Sequence, residues 1–131
     1  MAEGRLHHVP AEACTGNTAQ TAGMTRLAAI SGDSVGSRAI WMGQTTVAPH
    51  ANSGPHHHGH SETAIYVVSG HPVFIYAEDG REVRLRTKPG DYVFVPPYVP
   101  HVESNAEGDE EAVVVIARTT QEAVVENLES L

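Results

Sequence analysis

From Met24 onward the chain is a succession of short apolar or alternating runs separated by turn-forming residues. The runs are MTRLAAI (24–30), RAIWMGQTTV (38–47), TAIYVVS (63–69), PVFIYA (72–77), REVRLR (81–86), DYVFV (91–95), HVESN (101–105) and EAVVVIAR (111–118). Val, Ile, Tyr and Phe dominate them, and their branched or aromatic side chains suit a pleated, half-buried surface. SGDSVGS, AEDG, KPGD and NAEGDE lie between runs, supplying the Gly, Asp, Asn and Pro that turns require. Many short strands at regular spacing predict an all-β fold, an antiparallel sandwich or barrel. Residues 1–23, rich in Ala, Thr, Gly and Gln, keep neither the strand nor the helix period and read as an arm with one short strand. The end, TTQEAVVENLESL, fits a short helix or a last edge strand. The expected organisation is therefore an arm (1–23), one β domain (24–118) and a tail (119–131).

Composition narrows the partners. A chain of 131 residues is long enough to bury a core without disulfides. Its net charge is −8, and its seven Arg and single Lys88 are scattered apart from Arg81, Arg84 and Arg86. Phosphate backbones bind concentrated positive charge, so nucleic acid is not an expected partner. No apolar run reaches membrane-spanning length, and MAEGRLHHVP lacks a basic-plus-apolar leader, so a soluble, cytoplasmic protein is expected. A lone Cys14 forms no internal disulfide, in keeping with a reducing compartment.

The histidines change the picture most. Five of the nine fall between His50 and His60, just before the apolar run at 63–69. His56 and His58 are two apart in a stretch that can extend, which turns both side chains to one face. Neutral imidazoles at that spacing can bind one divalent cation. Pro100 and the prolines before it stiffen the approach to the distant His101. The plainer reading is a solvated loop that picks up metal adventitiously. His50, His57, His60 and His71 read as surface or supporting residues, and His7 and His8 are assigned no role.

Residues 54–70, GPHHHGHSETAIYVVSG, resemble the first motif of the cupin superfamily: a glycine, His-x-His, a Glu three or four residues on and a closing Gly. Residues 89–105, PGDYVFVPPYVPHVESN, resemble the second, with Gly90, Pro96, His101 and Asn105 at the family's spacing and Tyr98 in place of the usual Gly. The resemblance implies a double-stranded β-helix, a jelly-roll-like barrel of antiparallel strands. It also implies one divalent transition metal ion inside, with His56, His58, Glu62 and His101 as ligands. An imidazole and carboxylate shell suits Zn, Fe, Mn, Ni, Co or Cu, and sequence does not choose among them.

The acidic ligand departs from the pattern. Counted back from Gly70, the family's Glu falls at Thr63, one residue after Glu62, and a one-residue shift along a strand reverses the face. Three readings follow: a bulge near Gly59–Thr63 that returns Glu62 to the interior, a three-histidine shell with Thr63 inside, or His60 as a fourth imidazole. Glu103 lies two residues after His101 and shares its face in a regular strand. It is the candidate catalytic general base, the alternative being a salt bridge with Arg118 or Arg38. Ile65, Val67, Val73, Ile75, Val93 and Val95 are expected to point inward, with Trp41 or Met42, Gln44 and Thr46 at the mouth. The expected protein is a small metal-dependent enzyme with dioxygenase-type or cyclase/isomerase-type chemistry on a mostly hydrophobic small-molecule metabolite. A non-catalytic metal-containing binding or regulatory protein is the alternative. Arm and tail suggest a homodimer built by exchange of edge or terminal strands.

Overall fold

A computed structural model describes residues 4–131; the first three residues of the expected arm lie outside it. Its strands are β1 (Met24–Ile30), β2 (Trp41–Val47), β3 (His56–His57), β4 (Thr63–Ser69), β5 (Val73–Glu78), β6 (Arg81–Arg86), β7 (Tyr92–Val95), β8 (His101–Ser104), β9 (Ala112–Arg118) and β10 (Glu126–Asn127). A 3₁₀ turn (Ala11–Ala13) and a one-turn helix (Gly32–Val35) are the helical pieces among the described residues. No helix is long and apolar enough to cross a membrane.

The strands form two five-stranded antiparallel sheets, ordered β1-β2-β9-β4-β7 and β10-β3-β8-β5-β6. They make the expected double-stranded β-helix as a jelly-roll sandwich, without hydrogen bonds closing the sheets into one continuous barrel. Period-two alternation decides what lies between them. Trp41, Gly43, Thr45 and Val47 of β2 and Thr63, Ile65 and Val67 of β4 are buried, while the residues between them are not. Ile65, Val67, Phe74, Val95 and Val114 form the main core cluster, and Met24, Val47 and Ala112 a second. Full burial of such side chains stabilises the fold by about 1.5–3 kcal/mol each before entropy is counted.

Assignments on two strands, β5 and β2, differ from expectation. Phe74, between Val73 and Ile75, joins the central cluster, because its register partner on β8 is the inward-facing Glu103. Val73 and Ile75 are buried too, but on the other parity of β5. On β2, Gln44 and Thr46 take the outward parity rather than lining the mouth, because they alternate with the buried Gly43, Thr45 and Val47. The two ends of the chain pack on the same domain. Thr15 bridges Ala28 and Thr21 bridges Met24, while β10 pairs with β3. The tail thus takes the edge-strand alternative.

Candidate metal centre

Sheet register brings the two distant histidine segments together. His56 pairs directly with His101, the first residue of β8, so both side chains leave the sheet on the same face. His58 follows the end of β3, and Gly59, with φ 55, then turns the chain. A side chain on that glycine would meet Val124 Cγ1 at 2.9 Å. The three rings lie 4.5–4.9 Å apart between centroids. One ligand nitrogen from each of His56, His58 and His101 can be chosen so that all lie within 4.8 Å of one another.

Backbone carbonyls set the tautomers. Nδ1 of His56 lies 2.7 Å from Gly54 O, that of His58 2.9 Å from Val124 O, and that of His101 3.0 Å from Val99 O. A carbonyl oxygen only accepts, so each Nδ1 carries the proton and donates, leaving the Nε2 lone pair free. Burial keeps the rings neutral: it lowers His58 and His101 to about 4 and His56 in the same direction. Three neutral imidazoles with free Nε2 atoms fit a borderline transition-metal cation on the chemistry of their donors.

Glu62 is not part of this group. β4 alternates regularly from the buried Thr63, which gives Glu62 the outward parity, and Glu62 is exposed. Its N–H donates to Thr119 Oγ1 at 3.0 Å and its carbonyl accepts from the Thr119 N–H at 3.1 Å. The register shift of β4 against β9 lies between Val67 and Ser69, far from the bulge that would turn Glu62 inward. His60 is exposed as well, in the turn after Gly59. Thr63 faces the cavity.

Glu103 lies inside the same cavity, 8% exposed, with Oε1 buried and lacking a hydrogen-bond partner. Its N–H donates to Ser53 Oγ at 2.9 Å. Burial lifts its carboxyl to about 7, and Arg26 pulls the other way. Among the described residues it forms no salt bridge. Arg118 is engaged elsewhere: it lies 4.0 Å over the Trp41 ring and donates to the carbonyls of Thr120 and Gln121. Arg26 is the charged cavity-lining residue the motifs did not reveal. It occupies the inward parity of β1 between Met24 and Ala28, and that alternation was its available signal.

The resulting cavity has a volume of about 440 Å³, within the range of small-molecule sites. Ile65, Phe74 and Ile116 give it apolar walls, and the histidines, Glu103, Arg26 and Arg118 supply the polar groups. Residues 19–21 and 123–125 border it from the two ends of the chain.

Comparison with known proteins agrees with this architecture. The Bacillus subtilis oxalate decarboxylase S161A mutant is 25% identical with a TM-score of 0.71, over 86% of this chain and 30% of that one. An oxalate oxidase in complex with the substrate analogue glycolate is 19% identical with a TM-score of 0.70, over 86% of this chain and 59% of that one. Peruvianin-I, a cysteine peptidase from Thevetia peruviana latex, is 13% identical with a TM-score of 0.70, over 89% of this chain and 74% of that one. The last two likenesses concern the fold alone, and this chain spans under a third of the decarboxylase. No curated protein matches by sequence. The family model described as "Cupin domain" matches residues 43–117, more than half of the chain and including both histidine segments, and the chain belongs to the cupin family.

Proposed function

We propose that the protein is a metal-dependent enzyme acting on a small organic anion held in the cavity. The observation that carries this reading is the convergence of three imidazoles beside a buried, unpartnered carboxyl in a space of about 440 Å³. His56, His58 and His101 hold one divalent cation through Nε2. Three protein ligands leave further positions for substrate, as catalytic sites require. A cation bound there supplies Lewis-acid polarisation of a carbonyl or enolate oxygen or, if redox-active, reaction with dioxygen. Manganese is one fitting identity, since the similar oxalate decarboxylase contains Mn(II) centres.

The chain's own residues do the rest. Arg26 attracts the substrate's negative charge, and Ile65, Phe74 and Ile116 pack against its carbon skeleton and exclude water. Glu103 takes or returns a proton through its free Oε1. Glu62, exposed on the outward parity, takes no part in the proposed shell.

The test is water-proton relaxation of tag-free protein loaded with Mn(II). Strong relaxation from exchangeable water, quenched by a small carboxylate such as glycolate, is the expected result. Bound Mn(II) that relaxes water no better than a fully ligated ion would overturn the catalytic reading in favour of a closed metal-containing binding protein. Once a substrate is known, turnover with and without dioxygen separates oxygenase from isomerase or cyclase chemistry.

A further inference from the structure

Two groups of opposite charge look into the cavity from opposite sheets and do not touch. Arg26 comes from β1, at the edge of one sheet, and Glu103 from β8, inside the other. Among the described residues they form no ion pair, although each charge acts on the other. Glu103 is held through its backbone, where the N–H donates to Ser53 Oγ at 2.9 Å, while its buried Oε1 has no hydrogen-bond partner. A buried polar atom without a partner is rare in a native fold and marks a place where a ligand, an ion or chemistry is expected. Arg26 is only partly engaged. Its Nη1 donates to Thr21 Oγ1 at 2.7 Å and to Ala19 O at 3.5 Å, so the arm fixes the guanidinium in place. Those bonds use one of three nitrogens, and a guanidinium carries five N–H donors in a rigid fork. Nε and Nη2 are left to take a carboxylate through two parallel hydrogen bonds.

On the reading that the site holds a small organic anion, we infer that this anion is a hydroxy acid with an apolar body, its carboxylate on Arg26 and its hydroxyl donating to the Glu103 carboxyl. A carboxyl keeps an acceptor oxygen whether or not it is ionised, so the contact does not depend on the charge of Glu103. A plain carboxylate satisfies Arg26 and leaves Glu103 unpaired. A dicarboxylate brings a second anionic group against it, and like charges so placed repel. An amino acid offers a donor, but its ammonium meets Arg26, Arg118 and the cation that the histidines would hold, against a single carboxyl. A hydroxyl is the donor that carries no charge. Ile65, Phe74 and Ile116 line a space of about 440 Å³, more than a two-carbon acid fills, and they suit an aryl or branched alkyl body.

Isothermal titration of the tag-free chain loaded with Zn(II) tests this with matched probes: mandelate against phenylacetate, and 3-hydroxy-3-phenylpropionate against 3-phenylpropionate. The members of each pair differ by one hydroxyl, on the first or the second carbon from the carboxylate. At least one hydroxy acid should bind roughly tenfold tighter than its partner, or more, the effect of one hydrogen bond to a buried or charged group. A hydroxy acid that chelates zinc has a preference of its own, and Glu103→Leu tells the two apart. That variant replaces an unpaired buried carboxyl with an apolar side chain, so its circular dichroism spectrum should match the parent's. It should bind phenylacetate at least as well as the parent and lose the preference for the hydroxyl. Arg26→Gln should instead weaken both members of a pair alike and keep their ratio. Equal binding within both pairs, a preference that survives Glu103→Leu, or phenylglycine binding more tightly than mandelate would overturn the hydroxy-acid assignment and leave the small-anion reading standing. Failure of every probe to bind would overturn it too, and whether glycolate then quenches the Mn(II) relaxation decides if the small-anion reading falls with it.

Discussion

Tyr98 occupies a left-handed backbone conformation, φ 63, at the position where the family pattern carries Gly. Its N–H donates to Gly59 O at 2.8 Å, tying the turn before His101 to the turn after His58. A non-glycine residue there stores about 1–2 kcal/mol of steric strain, partly offset because Gly is more costly to order. Tyr98→Gly is therefore expected to stabilise the protein by up to about 1 kcal/mol, read as a raised midpoint in urea unfolding; a lowered midpoint would mean that the tyrosine ring contributes more than the strain. Glu103 gives a pH-dependent counterpart. Its carboxyl titrates near 7 in the folded metal-free protein against 4.5 ordinarily, so the unfolded chain loses that proton first. Stability should fall as pH rises from about 4.5 to about 7, and the penalty is fully present above that. Glu103→Gln removes it, and the variant's advantage in urea should grow between pH 4 and pH 8 by on the order of 1–3 kcal/mol; an advantage independent of pH would contradict this. The same variant should keep its metal but lose turnover. The residue types of the site were legible where a motif or parity carried them: His56, His58 and His101 by motif, Glu103 by its spacing of two from His101. Glu62 was ambiguous because counting from His58 and from Gly70 disagreed by one residue, and only the start of β4 at Thr63 decides its parity. Arg26 has no motif at all.

Strands with a clear period were readable almost to the residue: β1, β4 and β6 begin and end where the pattern predicts. β3 and β10 were not, because two residues are too few to show any period. They matter nonetheless, since their pairing carries the tail across the site and brings Val124 O to His58 Nδ1. Val73 and Ile75 were misassigned to the inner face because every residue from Val73 to Ile75 is apolar, so the pattern along β5 does not reveal its parity. The tail leads to a prediction at this scale. Removing residues 120–131 takes away the carbonyl that fixes the His58 tautomer while leaving the main core cluster intact. Loss of such a supporting hydrogen bond typically lowers metal affinity 10–100-fold, and isothermal titration of the truncated, still folded chain should show a drop of about that size. Unchanged affinity would mean that the tail only covers the mouth.

At the scale of the molecule, the two sheets divide the work. The β10-β3-β8-β5-β6 sheet holds the histidines and Glu103, and the other supplies Arg26, Thr63 and Arg118 from its inner face. Because the core clusters are apolar and separate from the imidazoles, His101→Ala should remove most bound metal while the circular dichroism spectrum stays that of a β protein. The class of fold was legible because alternation and turns together specify it; the substrate was not, because a cavity is assembled from residues far apart in the chain. The claim on which the account rests is that three imidazoles share one cation. X-ray absorption spectroscopy of tag-free protein, loaded with one equivalent of Zn(II), measures this directly. The account predicts a shell containing three imidazole nitrogens at about 2.0–2.1 Å. A shell with fewer than two imidazoles, or made mainly of carboxylate oxygens, would contradict it.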